Sequence, residues 1–145
     1  MKRATVITLI VLFSVSSLSC GRKGVKGTVS GVEVSVGSLK RMKEYRSPGD
    51  TGYMTLQPGP GKELLAIEIV WPKESMLLFG ELGIKARVHD RAGQVYDSVH
   101  QEAFGPNAGN WNARLLFQIP EHAALSTLTL DETSFDLRQV KEQSE

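Results

Sequence analysis

The residues able to do chemistry are few, and their spacing limits what each can do. The chain of 145 residues has one cysteine, Cys20, and three histidines, His89, His100 and His122. A lone thiol cannot close a disulfide within the chain, so a folded domain must be held by core packing. No His-x-His or His-x3-His pair occurs, and closely spaced imidazoles are the usual start of a zinc site. His89 and His100 flank a predicted hairpin and could face one another across it, with Asp90 and Asp97 nearby. A bound metal would need three or four such ligands to converge. The simpler reading, two hydrogen-bonded or solvated imidazoles, is favoured, and no metal or cofactor is expected. Asp50, Asp90 and Asp131-Glu132 fall at turns, where aspartate bonds its own backbone, and no Asp-x-Asp-x-Asp-Gly calcium loop is present. Asp131 and Glu132 are adjacent, so in extended chain they point to opposite faces and cannot act together as acid and base. There is no Gly-x-Ser-x-Gly elbow. Gly59-Pro60-Gly61-Lys62 is not a phosphate loop, because no Ser or Thr follows Lys62 and proline lacks the backbone donor. No catalytic residue is assigned, and the chain is expected not to be an enzyme.

Cys20 gains meaning from what precedes it. Lys2 and Arg3 lead into a mostly apolar stretch, Ala4 to Val15, followed by Ser16-Ser17-Leu18-Ser19 and then Cys20. A positive start, a short apolar run and small residues make the layout of a secretory signal. The run is shorter than the about 20 apolar residues of an ordinary membrane helix. This segment resembles a bacterial lipoprotein signal, although Ser17 stands where that pattern usually has Leu, with Leu18 one step later. The resemblance implies cleavage between Ser19 and Cys20 and attachment of palmitate-type acyl chains to Cys20. At about 0.8 kcal/mol per buried methylene, one chain binds marginally and two or more anchor stably. The expected location is the cell envelope, at the outer membrane or periplasmic face, with membrane lipid as a partner through Cys20. An ordinary secretory signal with an incidental cysteine is the alternative.

Composition sets the rest of the frame. Hydrophobic residues are 41% and charged residues 23% of the chain, values of a globular protein, and the formal net charge is +1. Near-neutral charge and an export signal both speak against a nucleic-acid partner. Between Gly21 and Arg46 lie seven basic residues against Glu33 and Glu44. Such a stretch beside an anchor can lean on anionic headgroups, but a solvated surface is the plainer reading.

The elements that must position these residues read as strands. Residues 20–31 are glycine-rich and read as a flexible tether after the signal of residues 1–19. Val32, Val34 and Val36 alternate with Glu33 and Ser35, a half-buried strand. Glu63 to Trp71 is apolar on both faces, as a covered central strand would be. Leu82 to Val88 and Val95 to Val99 form a predicted hairpin around Asp90-Arg91-Ala92-Gly93. Arg114 to Ile119, Leu125 to Leu130 and Ser134 to Leu137 complete the set, with a polar tail over 139–145. Seven or eight short strands with Gly/Pro turns predict an all-β, antiparallel sandwich over 32–138. The segments Pro58 to Trp71, Ile84 to Asp90 with Gly93 and Tyr96, and Leu116-Phe117-Gln118-Ile119-Pro120 resemble the telokin-like domains of bacterial exported lipoproteins. That resemblance implies a single immunoglobulin-like β-sandwich and no particular function.

For function the expectation is a binding module that presents loops to an envelope protein or small ligand. The Gly105 to Trp111 loop, with Asn107, Asn110 and Trp111, is the candidate recognition surface. A Trp111 tucked under the end of the sandwich is the competing reading. Two other roles stay open: a metal-dependent accessory enzyme built on His89 and His100, and a structural spacer or assembly factor.

Overall fold

Alternation of apolar and polar residues is realised as eleven strands, seen in a computed structural model that describes residues 25–49 and 52–143. The predicted signal, the Ser19–Cys20 cleavage site and Cys20 itself lie outside the described residues. The strands are β1 (Val25–Val29), β2 (Val32–Met42), β3 (Tyr45–Gly49), β4 (Gly52–Leu56), β5 (Lys62–Pro72), β6 (Ala86–Asp90), β7 (Val95–Asn107), β8 (Asn110–Pro120), β9 (Leu125–Leu130), β10 (Thr133–Asp136) and β11 (Glu142–Gln143). The expected all-β sandwich is what the chain forms, with more strands than the seven or eight anticipated.

The pairing order is β1-β2-β5-β8-β7-β6-β9-β10, and it folds into two layers because one strand serves both. The first residues of β7 pair with β6, Asp97 lying opposite Arg87. From Ser98, opposite Phe117, the strand pairs with β8, with a register shift between Ser98 and His100. A bulge of this kind bends the strand and carries it from one sheet to the other. The large sheet is therefore β1-β2-β5-β8-β7 and the small one β7-β6-β9-β10. The opposite seam also closes. The Thr133 hydroxyl donates to the Thr28 carbonyl at 2.6 Å, joining β10 to β1. At that seam a Cβ on Gly27 would lie 2.9 Å from the Phe135 ring, so only glycine permits the approach.

The core lies between the sheets. Val34, Val36, Leu65, Ile67, Ile69, Trp71, Leu115, Phe117 and Ile119 from the large sheet meet Val88, Leu128, Leu130 and Phe135 from the small one. A second bulge, between Val36 and Ser38 in β2, changes which residues face inward. Leu39 joins the core while Ser38, Lys40 and Met42 take the outer face.

Four sequence expectations need correction. The tether read over 20–31 is shorter, since Val25–Val29 is strand β1 and pairs with Val32–Val36. The polar tail over 139–145 is in part structural, because Val140 is buried and β11 lies parallel to β2. The strand read from Leu82 begins at Ala86; Gly83 lies so close to Leu78 that a Cβ would sit 2.2 Å from its carbonyl oxygen. No strand is expected between Val36 and Glu63, yet β3 pairs with β4 there, from Tyr45↔Leu56 to Gly49↔Gly52.

Candidate functional site

The outer face of the large sheet is where polar chemistry gathers, and β5 shows why. Its inward residues Leu65, Ile67, Ile69 and Trp71 are all buried. Its outward residues change character along the strand, from Leu64 and Ala66 to Glu68. The β3–β4 hairpin rests on the apolar part, so that Tyr45, Leu64, Ala66 and Leu116 form a second buried cluster with Met42 and Leu56 at its margin. This cover explains a strand apolar on both faces. Beyond it, the register lines up Ser38, Glu68, Arg114 and Glu102 across four strands, and beside them Lys40, Ala66, Leu116 and His100.

Tyr45 joins the two zones. Its ring belongs to the apolar cluster, and its hydroxyl donates to Glu102 Oε2 at 2.5 Å. Arg114 Nη1 donates to the same hydroxyl at 3.2 Å, and His100 Nε2 lies 3.0 Å from Glu102 Oε1. The Arg114 guanidinium also lies over two rings, 5.6 Å from the Tyr45 centroid and 5.3 Å from that of Phe104. Such cation–π contacts contribute about 0.5–1 kcal/mol each where solvent is near. Burial pushes the Tyr45 phenol pKa up and the Glu102 bond adds to that, while Arg114 opposes it. Tyr45 is thus a fixed hydrogen-bond donor and not a base.

Next to this cluster the surface sinks into a cavity of about 380 Å³, lined by Ser38, Lys40, Met42, Tyr45, Ala66, Glu68, Arg114 and Gln143. That size is at the lower end for small-ligand sites. Arg114 and Glu68 approach only to 4.0 Å. Lys40 has no ion-pair partner among the described residues. The lining therefore carries two cations and one anion, with Ser38 and Gln143 as neutral hydrogen-bonding groups.

The other polar network is a clamp at one end of the core. Arg41 donates to Glu63 Oε1 at 2.7 Å, to Glu142 Oε1 at 2.7 Å and to the Ala123 carbonyl at 2.6 Å. The His122 backbone N–H donates to the same Glu63 oxygen at 3.2 Å. All three guanidinium nitrogens of Arg41 are occupied within the fold, which ties the β8–β9 turn and β11 to β2 and β5.

The structure does not bring His89 and His100 together. His89 stands opposite Val95, with Nε2 3.3 Å from the Thr129 hydroxyl. His100 lies five residues further along β7, about 16 Å at ~3.3 Å per residue, and opposite Leu116 in the other sheet. Among the described residues no group of three or more His, Cys, Asp or Glu is placed to hold a metal ion. The Gly105 to Trp111 segment is not a broad loop. β7 runs to Asn107, β8 starts at Asn110, and Ala108-Gly109 form a two-residue turn at φ 47° and 85°. Asn110 is exposed there, whereas Trp111 is half-buried, opposite Trp71 and packed on the main core. The sequence reading did not single out the Tyr45 hydroxyl, and the Glu68–Arg114–Glu102 row depends on register across strands distant in sequence.

No protein-family profile matches this chain, and no curated protein does. Among solved structures it is similar to an uncharacterized β-sandwich protein from Clostridium difficile 630, with a TM-score of 0.52 and 12% identity, covering 77% of this chain and 87% of that one. That similarity extends to the fold. Among the described residues no helix is long and apolar enough to cross a membrane.

Proposed function

We propose that this protein is an exported lipoprotein of the cell envelope that acts as a binding module, with the outer face of its large sheet as the receiving surface. Its ligand is a small molecule or peptide end bearing a carboxylate. The observation that carries this reading is the cavity beside Tyr45, where Lys40 stands without an ion-pair partner among the described residues and Arg114 is held by the Tyr45 and Phe104 rings and the Tyr45 hydroxyl. A carboxylate meets Lys40 as a point charge and Arg114 through its planar fork. Glu68 on the cavity rim limits how much negative charge the site takes and favours a single carboxylate over a polyanion. Binding rather than catalysis is supported by Glu102, whose two oxygens already serve Tyr45 and His100. Membrane attachment through Cys20 rests on the lipoprotein-type signal.

The test is an NMR titration of the full chain with N-acetyl-Ala-Ala and with its C-terminal amide. The acid is expected to shift backbone resonances around Lys40, Ala66 and Arg114, and the amide is expected not to. In Lys40→Met the response to the acid should fall at least about tenfold, the size of a lost charge-assisted contact of ~1.4 kcal/mol. Equal responses to acid and amide, or none to either, would overturn the reading.

A further inference from the structure

The shortest strand of the sandwich stands beside the cavity described above. β11 pairs with β2 over two residues, Glu142 opposite Leu39 and Gln143 opposite Lys40. It makes the one parallel pairing of strands among the described residues. Both of its side chains are exposed, whereas Val140 just before them is buried. A strand with so little buried surface opens readily while the rest of the fold stays closed. Its side-chain tie is the half-exposed Glu142 carboxylate on Arg41. If Glu142 leaves, Arg41 keeps Glu63 and the Ala123 carbonyl, so no charge is stranded in the fold.

The edge that β11 covers is part of the cavity wall. β1 pairs with β2 from Val32 to Val36, and β11 takes Leu39 and Lys40 on the same strand. Ser38, Lys40 and Met42 line the cavity from β2, and Gln143 lines it from β11. Displacing β11 therefore bares main-chain donors and acceptors directly beside the unpaired Lys40, and a bared edge is a template for another strand. Direction decides which strand fits. β11 runs parallel to β2, so its C-terminal residue is the one beside Lys40. An extended peptide laid the same way, its last residue in the place of Gln143, brings its terminal carboxylate to Lys40. Laid the opposite way it brings a terminal ammonium to the same cation, which repels it.

We infer that the ligand of this site is the C-terminal end of an extended peptide that adds to β2 in the place of β11, with β11 as the chain's own competitor for that edge. Main-chain bonds to β2 supply affinity that does not depend on the peptide's side chains. Lys40 and Arg114 select the free carboxylate. The inference rests on the carboxylate reading proposed above and on no property of Cys20.

The experiment follows the backbone amides of the full chain by NMR with N-acetyl-Thr-Val-Ala-Ala and with the same peptide N-methylated along its backbone. The tetrapeptide should shift resonances around Lys40, Ala66 and Arg114, and at saturation move those of Glu142 and Gln143 to unpaired positions. The N-methylated peptide keeps the carboxylate but cannot complete the strand bonds. It should bind at least about tenfold more weakly and leave β11 in place. Glu142→Gln loosens β11 and should tighten the tetrapeptide about threefold, because a competitor held less often competes less. Shifts around Lys40, Ala66 and Arg114 with Glu142 and Gln143 unmoved overturn the strand exchange and leave the carboxylate site standing. Unchanged or weaker binding of the tetrapeptide to Glu142→Gln does the same, as does equal binding of the N-methylated peptide. No response of any resonance to either peptide removes both readings.

Discussion

The two faces of β8 are one strand and two environments. Leu115, Phe117 and Ile119 point into a layer that admits only apolar groups and leaves none of the three exposed. Arg114, Leu116 and Gln118 point the other way, where the surface is apolar under the β3–β4 hairpin and charged beyond it. The inner face gains its stability from area removed from water, and any polar group placed there costs free energy. The outer face has a boundary, and at that boundary a phenol sits on Leu116 while its hydroxyl meets Glu102 and Arg114. The inner layer holds the fold, and the boundary on the outer layer is where a ligand can be met without disturbing it.

The sharpest way to break that contrast is a truncation on each side of the same strand. Phe117→Ala should cost about 3–5 kcal/mol, since its site is enclosed between two sheets that cannot collapse far. Leu116→Ala should cost about 2 kcal/mol, because the hairpin above it can settle inward. Urea unfolding of both variants measures the gap, and equal losses would mean the hairpin is as rigid as a sheet. Tyr45→Phe tests the boundary itself. It removes the donor to Glu102 and should cost about 1 kcal/mol in the same measurement, with the apolar cluster retained. A smaller effect belongs to Asp136, which lies on neither face. Its carboxyl is held at about 2, below its ordinary 3.8, chiefly by the Arg138 side chain and then by the Arg138 backbone N–H. A depressed carboxyl stabilises the fold above about pH 4, and that contribution is lost as pH falls through about 2. Asp136→Asn should therefore lower Tm slightly at neutral pH and converge on the parent as pH falls through about 2. A constant Tm difference down to pH 2 would show that the carboxylate charge is not what matters.

What could be read in advance follows the same division. β2, β5, β8 and β9 announce themselves through alternation, because the inner face demands apolar residues at every second position. β1 does not, since its glycine is there for the Phe135 ring and in sequence looks like part of a tether. Leu82 and Ile84 imitate a strand, yet the close contact of Gly83 with Leu78 turns the chain before Ala86. Pro48 and Gly49 conceal β3, so the cover over Leu64 and Leu116 goes unseen. The Tyr45, His100, Glu102 and Arg114 cluster was out of reach for another reason. His100 and Glu102 face outward only because of the bulge after Ser98, and no spacing in the sequence marks a bulge. Trp111 shows the opposite case, where the plainer structural alternative accounts for the residue.

The seam between β1 and β10 also sets a clock for assembly. Residues 25–29 lie beside residues 133–136, and β2 is completed along its edge by residues 142–143. A chain made or delivered from its N-terminus can pair β1 with β2 and β5 with β2 early, but the two layers cannot lock until the final strands arrive. Contacts so distant along the chain are late and slow to form. Through that interval the inward faces of β2, β5 and β8 stay open to other chains, so the safety of this protein during its synthesis depends on residues 133–143.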